Sequence, residues 1–231
     1  MNVDCEGEQP RPELASLLLP EFAGRAGSRP FVLALEGPNG AGKTTLCQTL
    51  ARSLGARRCL GTDEAWFSEA FKTRMIRDAD WFSSAMFFLS GCFEQMRALR
   101  GQPDPLVIMD RSLWSTFAVQ AAESTGRLRT LLDMLRPVAA EIQVPDLTIV
   151  LEATFETCQE RIARKSGTAR LLDNLTATPG FHAGEREFYR WLGRQRCSVI
   201  FLDVNDPNPD SVAERALQLI RERPPHSAPA P

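Results

Sequence analysis

The stretch from Phe31 to Arg52 constrains this chain more than any other. Phe31-Val32-Leu33-Ala34-Leu35-Glu36 is a short apolar run closed by one carboxylate, and it reads as a buried strand. Leu46-Cys47-Gln48-Thr49-Leu50-Ala51-Arg52 carries an apolar stripe at helical spacing. Between them, Gly37-Pro38-Asn39-Gly40-Ala41-Gly42-Lys43-Thr44-Thr45 matches GxxxxGK[ST] at every position. Strand, glycine loop and helix in that order build an anion cradle. The glycines let successive backbone N–H groups point inward, and the helix N-terminus adds partial positive charge. Gly37, Asn39, Gly40, Ala41, Gly42 and Thr45 are therefore expected to surround phosphate oxygens. Lys43 is expected to reach the β- and γ-phosphates of a nucleotide, and Thr44 to hold Mg²⁺.

Composition narrows the alternatives. The chain has 231 residues, enough for one α/β domain with a substantial core, and 43% of them are hydrophobic. There are 27 basic and 29 acidic side chains, giving a net charge of −2. A surface that coats nucleic acid is not expected from that balance. Cysteines stand at 5, 47, 59, 92, 158 and 197 without a CxxC, and no secretory signal is read at the start. Reduced thiols and a cytoplasmic location are expected. No apolar run approaches the roughly 18 residues of a membrane span. With only His182 and His226, there is little material for a histidine-based metal site or triad.

Further short apolar runs alternate with longer helical patterns. Arg58-Cys59-Leu60, Pro105 to Asp110, Leu147 to Glu152 and Ser198 to Asp203 read as four more strands. Near-continuous apolar strands separated by helices predict a five-stranded parallel sheet with helices on both faces, the three-layer fold of phosphate-loop NTPases. Residues 1–29 read as a loose N-terminal arm in which the short apolar patch Leu14 to Phe22 forms one helical turn docked on the body. Residues 30–222 read as the phosphate-loop domain, and 223–231 as a disordered proline-rich tail. In such sheets the ligand lies at the C-terminal strand ends. The third strand ends in Asp110-Arg111-Ser112 and the fifth in Asp203-Val204-Asn205-Asp206. Asp110 is placed to orient Mg²⁺ beside Thr44, and Arg111 offers a planar charged fork for a phosphate.

The chain resembles the thymidylate kinase-like group of nucleoside monophosphate kinases over Phe31 to about Ile220. Leu35-Glu36-Gly37 leading into Gly42-Lys43-Thr44-Thr45 is similar to that group's opening. Asp110-Arg111, Ser115-Thr116 and Ala118 resemble its next signature. Pro145-Asp146-Leu147-Thr148, then Glu160-Arg161-Ile162, resemble the strand and helix that enter its lid. Phe181, Tyr189 and the strand at 198–203 fit its C-terminal part. The resemblance implies transfer of the γ-phosphoryl of ATP, with Mg²⁺, to a (deoxy)pyrimidine nucleoside monophosphate. It also implies a lid at about 161–180. There Arg161 would meet the donor nucleotide, and Arg164 or Arg170 would supply the catalytic arginine that Gly40 does not. Asn205 and Asp206 would approach the adenine.

On the acceptor side, the resemblance assigns Asn39 to the acceptor's sugar and Phe88 to stacking on the base. Cys92 stands where thymidylate kinases carry a base-reading arginine, which brings the chain closer to the UMP-CMP kinase branch. Asp63 and Glu64 follow the second strand, where relatives carry an acceptor-binding element. Arg74 and Arg77, in a segment lining the same cleft, are candidates for the acceptor phosphate. Trp66 is a second stacking candidate; most other aromatics between 66 and 93 have helix-packing spacing. The helix from Trp81 to Phe93 is a candidate homodimer surface. Two alternatives remain. Asp110-Arg111-Ser112 also resembles the Glu-Arg-Ser run of nucleoside kinases, where Asp63 or Glu64 would be the base that deprotonates a 5′-hydroxyl. A nucleotide-binding switch without turnover is the other.

Overall fold

The computed structural model describes residues 12–22, 29–61, 67–165, 178–195 and 198–222. Five parallel strands form its centre: β1 (Phe31–Glu36), β2 (Arg57–Leu60), β3 (Leu106–Asp110), β4 (Leu147–Glu152) and β5 (Val199–Asp203). Their order across the sheet is β2-β3-β1-β4-β5. The chain leaves β1 toward one edge, returns through β3, and then builds β4 and β5 on the other side. The crevice at the C-terminal ends of β1, β3 and β4 is thus a topological switch point, where open α/β sheets bind ligands.

The strand runs are apolar on both faces because both faces are covered. Leu33 and Leu35 of β1 pack with Ile149 and Leu151 of β4 on one side. That layer is completed by Leu46, Cys47 and Leu50 of α2 (Lys43–Leu54) and by Val212, Ala213 and Ala216 of α9 (Pro209–Arg221). Val32 and Ala34 alternate to the opposite face, against Val107 and Met109 of β3 and Met96 of α4 (Trp81–Ala98). Beyond them, α5 (Leu113–Glu123), α6 (Thr125–Leu135) and α8 (Pro179–Gly193) enclose Trp114, Phe117, Phe188, Tyr189 and Trp191. At Gly184 the helices α5 and α8 touch: a Cβ there would lie 2.7 Å from Ala122 Cα.

Two outer helices follow the same logic. In α3 (Glu69–Arg77), Phe71 meets the ring of Phe87 from α4 edge-on, as does Phe67 just before the helix. Ala85 and Leu89 of α4 are buried. Helix α7 (Phe155–Ala163) starts on a Thr154 cap and buries Cys158 and Ile162.

Part of the N-terminal arm lies against the body of the domain. Its residues 12–22 include a short turn, α1 (Pro12–Ala15), and bury Leu14 and Leu17. Phe22 stands edge-on to Trp114, with ring centroids 5.8 Å apart. The physical reason is apolar area: Leu14 and Leu17 are removed from water and Phe22 partly so, which outweighs the order imposed on the segment. Residues 1–11, the proline-rich tail at 223–231 and most of the expected lid lie outside the described residues.

A buried ion pair pins the N-terminal side of the sheet. Arg29, with a fully buried side chain, donates to both oxygens of Asp146, at 2.6 and 3.0 Å. Asp146 also accepts the Val32 N–H at 2.7 Å, so one carboxylate joins the starts of β1 and β4. Replacing Asp146 with Ala takes the carboxylate from a buried guanidinium. The expected cost is about 3 kcal/mol or more, read as a lower urea midpoint at unchanged m-value. A loss under about 1 kcal/mol would mean the pair is dispensable.

Candidate active site

The loop between β1 and α2 takes the shape its glycines permit. Gly42 sits at φ +98° immediately before α2, and no side chain caps that helix. Its first N–H groups therefore face outward toward any anion in the crevice. Gly40, at φ +85°, lies against α7, where a Cβ would come within 2.5 Å of the Cys158 carbonyl oxygen. Both positions demand glycine, one for handedness and one for space.

Lys43 is 5% exposed and folds back over the loop. Its ammonium donates to the carbonyls of Gly37 and Pro38, each at 2.7 Å. Burial first, then the charge of Arg111, pushes its pKa down to about 7. Glu185, Asp110 and Glu36 pull the other way. A phosphate arriving at the loop would favour the charged ammonium again.

Arg111 follows β3 in the left-handed region, at φ +69°, and is the only non-glycine residue with positive φ among those described. Such strain persists only where the surroundings hold it. Here Arg111 N–H donates to the Leu35 carbonyl at 3.1 Å. Its guanidinium donates to Ser115 Oγ at 3.1 Å and, through the other arm, to Asn39 Oδ1. The side chain is thereby aimed over the phosphate loop.

Beneath this lies Glu36, wholly buried at the end of β1. It accepts from the Ser112 N–H and hydroxyl, both at 2.7 Å, from the Ser115 hydroxyl, and from Tyr189 at 3.0 Å. Burial, with Glu36 next in importance, pushes the Tyr189 phenol well above its ordinary pKa, so it stays a donor. On the face of α8 one turn earlier stands Glu185, 5% exposed, its pKa raised by burial and pulled back by Arg111 and Lys43.

A cavity of about 450 Å³ opens above these groups. Asn39, Gly40, Ala41, Gly42, Lys43, Thr44, Thr45, Arg111, Arg161 and Asp206 line it, ten of the residues singled out from sequence. Arg161 bridges the loop to the far wall, donating to the carbonyls of Ala41, Val204 and Asp206 at 3.2, 2.7 and 3.3 Å. Asp110 is 7% exposed at the end of β3, and its charge is felt by Lys43. A hydroxyl from Thr44 and a carboxylate from Asp110 are hard oxygen donors of the kind Mg²⁺ takes alongside substrate phosphates.

Other sequence candidates lie elsewhere. Gly37 sits at the base of the loop, where its carbonyl holds Lys43. Asn205 turns toward the backbone, accepting the Thr154 N–H at 2.8 Å and donating to Asp203 at 2.8 Å, and it does not line the cavity. Arg164 is exposed at the C-terminal end of α7. Arg74 is exposed in the last turn of α3, as is Arg77. Phe88 is half-buried, edge-on to Phe87. Cys92 is buried under Gly61, 3.3 Å from where a Cβ would stand, and burial raises its thiol pKa. Asp63, Glu64, Trp66 and Arg170 lie outside the described residues.

Sequence reasoning did not single out Glu36, Tyr189 or Glu185 as site residues. The signal was present for two of them. Glu36 is the one charge in an apolar strand, and Glu185 is a charge between Phe181 and Tyr189 on one helix face.

Comparison with known proteins agrees with this geometry. The deoxynucleoside kinase family model matches residues 33–223. This chain belongs to that family of phosphate-loop kinases. The thymidylate kinase of Rhodopseudomonas palustris (strain TIE-1) is 31% identical to it, over 83% of this chain and 88% of that protein. That of Bradyrhizobium diazoefficiens is 33% identical over about half of each chain, 51% of both. Among solved structures, deoxyadenosine kinase from M. mycoides with bound dATP superposes with a TM-score of 0.66 at 17% identity, covering 83% of this chain and 99% of the other. Thymidylate kinase from Candida albicans superposes with a TM-score of 0.64 at 17% identity, over 87% and 95%. The resemblance read from the sequence and the expected α/β fold are both shown. The chain is a nucleoside or nucleotide kinase that uses a nucleotide phosphate donor. No described helix is long and apolar enough to cross a membrane.

Substituting Gly40 with Ala would drive a Cβ into the Cys158 carbonyl while forcing a left-handed backbone on alanine. The expected result is a loss of nucleotide affinity of roughly tenfold or more, read by titration calorimetry, with the melting temperature lowered by only a few degrees. Wild-type affinity would mean that the loop can re-form without this contact.

Proposed function

We propose that this chain is an ATP-dependent nucleoside monophosphate kinase, passing the γ-phosphoryl group to a (deoxy)pyrimidine nucleoside monophosphate. The observation that carries this reading is the convergence of Lys43 and Arg111, from two different strand ends, on one cavity. Joining two phosphates requires that their mutual repulsion be cancelled at the reacting centre. Lys43 would meet the donor's β- and γ-phosphates along with the N-terminal N–H groups of α2. Arg111, held over the loop by Asn39 and Ser115, would meet the oxygens between donor and acceptor. A monophosphate acceptor is already an anionic nucleophile at neutral pH, so it needs cations rather than a base. The thymidylate kinases at 31% identity, matched over most of both chains, support this choice.

The remaining residues take roles consistent with that chemistry. Thr44 and Asp110 would hold Mg²⁺, which when bound neutralises charge on the donor phosphates. Arg161 and the strand-end segment with Asn205 and Asp206 would border the adenine. Arg164 and Arg170 would close over the phosphates as part of a lid at about 161–180, excluding water. Asn39 would approach the acceptor's sugar. Phe88 or Trp66 would stack on the base, and Arg74, with Asp63 and Glu64, would line the acceptor's side. A homodimer through α4 is consistent with the exposure of Phe82.

A second reading is favoured by the family model itself, which is that of deoxynucleoside kinases. There the acceptor is a 5′-hydroxyl, and Asp63 or Glu64 would take its proton. The two readings separate in one coupled assay with ATP and Mg²⁺ against nucleoside monophosphates and nucleosides. Turnover of a pyrimidine monophosphate is expected, surviving Asp63→Asn and Glu64→Gln within about tenfold. Lys43→Ala and Arg111→Ala are expected to lower kcat by about a hundredfold or more. Turnover of nucleosides alone, lost in a carboxylate variant, would select the second reading. ATP binding without turnover of either class would mark a switch.

A further inference from the structure

The charges of three carboxylates act on Lys43: Glu185, Asp110 and Glu36. Two of them already have work. Glu36 accepts four hydrogen bonds, from Ser112 twice, Ser115 and Tyr189, which fills the acceptor sites of one carboxylate. Asp110 stands at the end of β3 on the proposed Mg²⁺ side. Glu185 is different. It comes from α8, is 5% exposed, and interacts electrostatically with both Lys43 and Arg111. It faces Pro38 and Asn39 across a small gap that Gln159 and His182 also border. A carboxylate on the inner face of a helix is costly to bury unless it meets positive charge. The two loop residues it faces are the ones the cations hold: Lys43 donates to the Pro38 carbonyl at 2.7 Å and Arg111 to Asn39 Oδ1.

We infer that Glu185 is a positioning residue whose negative charge holds the Lys43 ammonium and the Arg111 guanidinium together beside the phosphate loop. Without that charge the two cations drift apart, and the pair no longer converges on one phosphoryl group. The groups whose charge acts on Glu185 are Arg111 from the end of β3, Lys43 from α2 and Glu36 from β1, while Cys158 of α7 and His182 of its own helix border the gap it faces. The inference rests on the reading of Lys43 and Arg111 as the phosphate-handling pair.

Charge and shape can be separated in the full-length enzyme. Glu185→Gln keeps the shape and removes the charge, whereas Glu185→Asp keeps the charge on a shorter arm. With ATP and the preferred acceptor, Glu185→Gln is expected to lower kcat roughly tenfold, with KM for ATP changed less than about threefold. Glu185→Asp is expected to stay within about threefold of wild type in kcat. If Glu185 only fills space, the order reverses: Gln behaves as wild type and Asp is the weaker enzyme, which overturns the inference. Should Glu185→Gln fail to fold, the Asp variant decides alone. A kcat more than about tenfold below wild type at an unchanged melting temperature would overturn the inference. Lys43→Ala separates the two levels. An active wild type, a silent Lys43→Ala and an unchanged Glu185→Gln sink only the role of Glu185. A fully active Lys43→Ala sinks the functional reading beneath it.

Discussion

One buried carboxylate organises the site. Glu36 ends β1 where water cannot reach it, and a charge in that position is tolerable only if every acceptor direction is filled. The chain fills them from three places distant in sequence: Ser112 at the start of α5, Ser115 one turn later, and Tyr189 in α8. Each hydrogen bond fixes an element the active site needs. Ser112 and Ser115 set the path of the chain just after β3, and with it the direction of Arg111. Tyr189 sets the rotation of α8 and so brings Glu185 to face the phosphate loop. The loop itself leaves β1 at the next residue. The phosphate loop, Arg111 and α8 therefore share one anchor.

Arg111 shows what such an anchor permits. Its left-handed backbone is unfavourable for a side chain with a Cβ. The strain is offset because its N–H reaches the Leu35 carbonyl and its guanidinium reaches Ser115 and Asn39. On the outer side, Gly61 closes against the Arg111 carbonyl, where a Cβ would lie only 2.6 Å away. The end of β2 is thus pressed onto the same turn. A guanidinium held this way loses little freedom when phosphate arrives, and that preorganisation is the usual source of electrostatic catalysis.

The relation to kinases of both nucleosides and nucleoside monophosphates has a structural sense. Under the proposed function, the donor half of the site (loop, Lys43, α2, Arg161 and the β5 end) is indifferent to what accepts the phosphoryl group. Under the proposed function, choice of acceptor falls to Asp63, Glu64 and Arg74 and to the stacking residue, Phe88 or Trp66. Cys92, at the position the resemblance links to base reading, is buried beneath Gly61 and packs rather than points into a pocket.

The sequence by itself determined the local parts. Strand, glycine loop and helix at 31–52 were legible because each follows from spacing and backbone freedom within a few residues. The five strands were legible because burial on both faces demands unbroken apolar runs. So were ten of the residues that line the cavity, most of them in or beside the loop motif. Tertiary structure decided the rest. That Asn205 would cap the turn before α7 depends on a strand neighbour some fifty residues away. Where the arm at 12–22 would dock depends on an apolar groove made by α5 and α8. That Glu36, Tyr189 and Glu185 would enclose the phosphate loop depends on which helix packs where. Local chemistry is written in neighbouring residues. The field acting on a buried charge is set by groups brought together from distant parts of the chain, and only the packed fold specifies it.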